Sequence, residues 1–208
     1  MKFLNLNKVL CLSAHPDDVE YGVMGSMAVY GETQFDVIVL SSGGDFDKTT
    51  GGDRINECKK VWDWFENVNG EFSGYSYVKD SSEDFWVNHI ETKYDVKSYD
   101  AILTLPNQDS HFEHRMVNEI SYALLRGVGV GLVTYRTPST LEGWIPNYYV
   151  DVNSVIQNKI GILRESFISQ KDKLYFQEKS IIDFHTNYLC SKVGVGYVEQ
   201  FRVERLFG

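Results

Sequence analysis

The chain is short of cysteine, of positive charge and of long apolar runs, and each shortage narrows what it can be. Three of 208 residues are cysteines. Cys11, Cys58 and Cys190 lie far apart and form no CxxC pair, which argues against a disulfide framework or a cysteine zinc site. Free thiols fit a reducing compartment, so a cytoplasmic location is expected. Lys and Arg total 20 against 29 Asp and Glu, a formal net charge of -9, and the basic residues are scattered. Duplex nucleic acid, which needs a basic patch, is therefore not expected as a partner. No stretch approaches the roughly 18 apolar residues of a membrane span, so none is expected. The stretch Met1 to Lys8 has Asn and Lys interrupting its apolar residues and lacks a small-residue cleavage site, unlike a signal peptide. There is no repeat, low-complexity tract or linker. A chain of 208 residues suits one domain spanning 1–208.

What is present is an alternation of buried-strand and helix patterns. Lys8 to Ser13, Phe35 to Ser41 and Ala101 to Leu105 are apolar runs of strand length. Between and after them, Tyr21 to Gly31, Arg54 to Phe65, Ser82 to Lys93 and His114 to Leu125 read as helices, with Ser82 as a cap. This order predicts an α/β, Rossmann-like, mostly parallel sheet with helices on both faces. Further on, Gly131 to Thr137, Tyr148 to Val152 and Tyr197 to Arg205 read as strands. Ser154 to Glu165 and Lys171 to Leu189 read as helices.

Chemistry concentrates after two of the predicted strands. Ala14-His15-Pro16-Asp17-Asp18-Val19-Glu20 follows the first, where an open α/β sheet binds its ligands. His15 and Asp18, on a turn stiffened by Pro16, offer two ligands for zinc or a similar ion. Asp17 points elsewhere and is free for proton transfer. By itself this segment reads more readily as a helix cap beside a polar turn, and the metal reading needs a partner segment. After the third of these runs comes Asp109-Ser110-His111-Phe112-Glu113-His114, which brings two more histidines to the same edge. A catalytic zinc keeps about three protein ligands and an open position. His15, Asp18 and one histidine of the pair meet that count, leaving the other as an electrophile or general acid. Glu113 is placed to orient an imidazole.

These segments resemble the LmbE-like, or PIG-L, family of zinc-dependent N-acetylglucosaminyl deacetylases. Weaker matches run in the family's order: Arg54 and Glu57 in RINE, Phe167-Ile168-Ser169-Gln170, and Tyr197-Val198-Glu199-Gln200-Phe201. The resemblance implies an LmbE-like single domain with one zinc per chain on His15, Asp18 and His114, which iron or cobalt also fits. It further implies Asp17 as general base and a protonated His111 as stabiliser of the tetrahedral intermediate. The implied substrate is an N-acylated amino sugar or glycoconjugate, or a related small amine. A homo-oligomer is compatible with the resemblance. Val19 between Asp18 and Glu20, and Glu113 where the family has Asp, depart from the usual pattern.

Two readings stay open beside this one. Arg54, at the end of the glycine-rich stretch Gly43 to Asp53, either reaches a substrate hydroxyl or phosphate or pairs with Glu57. The stretch itself is a plain loop or a lid. A non-catalytic or nucleotide-binding Rossmann-like protein is the rival function, and it lacks a glycine-rich phosphate loop after the first strand.

Overall fold

Fully buried β-branched and leucine-rich runs form the centre of the fold. β1 (Lys8–Ser13), β2 (Gln34–Val39), β4 (Ala101–Thr104) and β5 (Gly131–Tyr135) are buried at nearly every position, as strands covered on both faces must be. The computed structural model describes residues 1–45 and 49–207. Its strands form a seven-stranded sheet in the order β3-β2-β1-β4-β5-β7-β6. β3 is Val68–Phe72, β6 Tyr148–Asp151 and β7 Val198–Arg205. The pairs from β3 through β5 are parallel, and β7 is antiparallel to both β5 and β6. The expected mostly parallel α/β architecture is therefore present.

Helices α1 (Asp18–Val29), α2 (Gly51–Trp62) and α5 (Ile156–Ser166) pack together, as do α3 (Glu83–Lys93) and α4 (Phe112–Leu124). Right-handed crossovers put these two groups on opposite faces, because the chain moves outward from β1 to β3 and then returns to β4. Strand order thus reverses between β1 and β4, the switch point at which such sheets bind ligands. Both histidine segments start there.

Two expected elements differ. β3 was not predicted: its sequence, VNGEF, is polar and half exposed, as suits an edge strand, so it carries no apolar run. The stretch from Lys171 to Leu189 is not one helix. It breaks into a 3-10 turn at Leu174–Phe176, α6 (Glu178–His185) and α7 (Tyr188–Ser191), so its turns follow the surface instead of one axis. Among the described residues no helix is long and apolar enough to cross a membrane.

Candidate metal and acyl-transfer site

The turn after β1 separates two adjacent carboxylates. Asp17 takes φ 124° and ψ -24°, a conformation that costs a non-glycine residue on the order of 1–3 kcal/mol and is concentrated at functional sites. Glu20 supports it by accepting from the Asp17 main-chain N–H at 3.1 Å and from Trp62 Nε1 at 2.6 Å. Burial pushes the Glu20 carboxyl up to about 7. The bend sends Asp17 toward Arg54, whose Nη2 lies 3.5 Å from its Oδ2 and donates to the Pro16 carbonyl at 3.1 Å. Asp18 turns instead to the imidazoles.

Asp18 Oδ2 lies 3.6 Å from His15 Nδ1, and Asp18 Oδ1 lies 3.2 Å from His114 Nε2. The far nitrogen of each ring is held by another carboxylate. His15 Nε2 meets Glu113 Oε2 at 2.7 Å; His114 Nδ1 meets Asp109 Oδ2 at 3.2 Å and Ser139 Oγ at 3.1 Å. Glu113 therefore orients His15, not His111, because its longer side chain crosses from α4 to the β1 turn. Its other oxygen accepts from the Lys79 main-chain N–H at 2.9 Å.

Asp109 is the residue the motif reading passed over. It is fully buried, accepts from Thr137 Oγ1 at 3.0 Å, and accepts from the His111 main-chain N–H at 2.8 Å. One carboxylate thereby positions both histidines of the second segment. The available signal was an acid two residues before a histidine in a strand-end loop.

The electrostatics follow from burial and pairing. Burial raises Asp17, with Arg54 opposing and Asp18 adding to the rise. Burial would also raise Asp18, but His114 and His15 hold it well below the usual carboxylate range. His114 is pushed up to about 10, as Asp18 and Asp109 outweigh its burial. Burial, together with His15 and His114, pushes His111 down to about 4. An imidazolium at position 111, as the resemblance implies, does not match this setting; a neutral ring does.

The donor set fits a borderline divalent metal. His15, His111 and His114 bring one ring nitrogen each within 4.8 Å of one another, and Asp18 lies against two of those rings. His15 and His114 have the carboxylate–histidine support usual for metal ligands, whereas the exposed His111 ring has none. These groups, with Tyr77, Tyr175 and Lys173 among others, line a cavity of about 540 Å³.

The weaker motifs hold the site's supports. Glu57 accepts from Ser169 N at 2.7 Å and Ser169 Oγ at 2.6 Å, so Arg54 does not pair with Glu57. Glu199 is buried beneath α1, away from the cavity. His89 and His185 also lie outside the cavity lining. Of the loop 43–53, residues 46–48 lie outside the described residues, and the lid expectation falls partly on them.

No family model matches the chain, and no curated protein is detectably similar to it in sequence. Solved structures do match. N,N'-diacetylchitobiose deacetylase from Pyrococcus horikoshii superposes with a TM-score of 0.74 at 19% identity, covering 97% of this chain and 85% of its own. A 4-carboxy-2-hydroxymuconate hydratase from Pseudomonas putida gives 0.71 at 16% identity over 100% and 98% of the two chains. The zinc-inhibited form of a teicoplanin deacetylase gives 0.65 at 12% identity over 94% and 97%. The chain has the LmbE-like fold that its motifs resemble.

Proposed function

We propose that the protein is a zinc-dependent amide hydrolase that removes an acetyl or similar acyl group from an amino sugar or related small amine. One observation carries the reading. His15 and His114 each have one ring nitrogen fixed by a carboxylate and the other facing Asp18, while Asp17 stands beside them outside that set. This supports His15, Asp18 and His114 as metal ligands and Asp17 as the proton acceptor. Matching folds in solved deacetylases support the reaction class.

A bound zinc would lower the pKa of water toward neutrality. The chain's own residues do the rest. Asp17, raised by burial, accepts a proton from the attacking water and returns it to the leaving nitrogen. Arg54 keeps the Asp17 carboxylate aimed into the cavity. His111, neutral at pH 7, donates a hydrogen bond from its ring N–H to the oxygen that gains negative charge, a contribution typically worth about 10²–10³ in kcat.

The similarity to a hydratase favours one alternative, in which the same activated water adds across a carbon–carbon double bond. The test is acetate release from N-acetylated sugars by zinc-loaded wild type and Asp17→Asn, with metal content measured on both. Expected are one zinc per chain in each and a loss of about 100-fold or more in kcat for the variant. Asp17→Asn retaining near-wild-type turnover would overturn the role of Asp17. Wild type that hydrates a conjugated enoate but releases no acetate would replace the deacetylase reading with the hydratase one.

A further inference from the structure

Glu113 stands where three elements meet, and its two oxygens serve different partners. It lies buried on the first turn of α4. His15 Nε2, from the turn after β1, donates to Oε2 at 2.7 Å, and the Lys79 main-chain N–H donates to Oε1 at 2.9 Å. A carboxylate only accepts, so His15 Nε2 carries a proton, which in the neutral ring leaves the Nδ1 lone pair facing Asp18.

The two contacts govern different parts of the site. Lys79 belongs to the 3-10 turn Val78–Asp80, which directly follows Tyr77. The first N–H groups of a helical turn have no partner within it, and Glu113 supplies one from α4. On its other side the turn is tied to α3, where Trp86 Nε1 donates to the Val78 carbonyl at 2.8 Å. Tyr77 and Lys79 both line the cavity, and the Lys79 ammonium lies 4.8 Å from the centre of the Tyr77 ring. Gly44 takes φ 63° beside them, and a Cβ there would collide with the Tyr77 hydroxyl. Side-chain length decides whether one residue can serve both partners. An aspartate at 113 is shorter by one C–C bond, about 1.5 Å, which takes both partners out of hydrogen-bond reach.

We propose that Glu113 is a positioning residue with two separable duties. It sets the His15 ring for the metal, and it holds the wall made by Tyr77 and Lys79 in register with that metal. The first duty rests on the proposed metal site; the second does not. The surface that a substrate meets is thereby keyed to the metal ligands through one carboxylate.

Two substitutions divide these duties. Glu113→Gln keeps the length: its amide oxygen accepts from Lys79 while its NH2 faces His15 Nε2. That arrangement moves the ring proton to Nδ1, the nitrogen facing Asp18. Glu113→Asp breaks both contacts. The measurements are zinc affinity by chelator competition, hydrogen exchange of the Lys79 amide in metal-free protein, and KM at saturating zinc. Glu113→Gln is expected to lose about 10–100-fold in zinc affinity, with Lys79 exchange and KM within about two-fold of wild type. Glu113→Asp is expected to lose zinc affinity as well, to exchange the Lys79 amide about ten-fold faster, and to raise KM by about the same factor. The Trp86 indole N–H resonance should shift in Glu113→Asp alone. A side chain that only stabilised the fold would lower both melting temperatures without this split. Lys79 exchange or KM unchanged in Glu113→Asp, or raised equally in Glu113→Gln, would overturn the proposal. Exchange and chelator competition need no turnover. Wild type that releases no acetate would therefore sink the deacetylase reading, while those two readouts still decide the role of Glu113.

Discussion

At the scale of single residues, the site depends on a carboxylate that touches no substrate. Asp109 is buried and fixes His114 through Nδ1 while its other oxygen holds the His111 main chain. Losing such an outer support typically costs 10–100-fold in metal affinity. Asp109→Asn, which keeps the volume, should weaken zinc binding by about that factor in a chelator competition while leaving the melting temperature of the metal-free protein within a few degrees. Unchanged affinity would show that Ser139 alone, at 3.1 Å from the same nitrogen, sets the ring. The candidate ligands were legible in the sequence because His15 and Asp18, and likewise His111 and His114, each lie within one short turn. Asp109 and the Glu113–His15 contact were not, because they depend on how two loops, 98 residues apart at Glu113 and His15, meet in space.

At the scale of elements, α1 explains how a turn can be held in a strained shape. Its residues from Asp18 to Met27 are all buried, so the helix must be secured from behind as well as packed. Glu199 on β7 does this: it accepts from Gly25 N at 2.6 Å, Ser26 N at 2.7 Å and Lys159 Nζ at 2.5 Å. Lys159 also donates to the Tyr21 carbonyl at 2.6 Å. Gly25 is required there, since a Cβ would come within 2.8 Å of Glu199 Oε1. Removing one member of a buried pair strands the other, at a cost of about 3–5 kcal/mol. Lys159→Met is therefore expected to lose that much stability in urea unfolding, and adding Glu199→Gln should restore part of it. A loss under about 1 kcal/mol would mean the Gly25 and Ser26 donors satisfy Glu199 without the lysine. The sequence showed α1 and the central strands through their apolar runs. It could not show this clamp, since a lone Glu in a YxExF segment looks the same whether exposed or buried. The edge strand β3 was hidden for the opposite reason: its polar residues face solvent and leave no pattern to read.

For the whole molecule, protons on one histidine–carboxylate cluster set how stability varies with pH, and a metal bound there as proposed would compete with them. His114 is raised from its ordinary value to about 10 by Asp18 and Asp109, against its burial, and His15 is raised as well. A base raised in the folded state contributes stability that is fully present below its unfolded value, 6.5 for His114. That contribution fades as pH climbs through about 10. Asp18, held low by the same imidazoles, contributes in the opposite window, above its ordinary range, and loses it on acidification. Metal-free protein should therefore be most stable from mildly acidic to neutral pH, with protons doing the work of a cation between Asp18 and the two rings. Zinc bound as proposed would displace those protons, so its binding should release them and strengthen as pH rises. With free zinc at about 100 times its dissociation constant, the loaded protein gains roughly 2.7 kcal/mol, a few degrees or more in melting temperature for a chain of this size. The gap between zinc-loaded and chelator-stripped melting temperatures should widen from pH 6 to pH 9. Calorimetry in two buffers of different ionisation enthalpy should register proton release in the same range. A gap that stays constant or narrows would mean that zinc does not bind through His15 and His114, because only ligands that must give up a proton link the metal to pH in this direction.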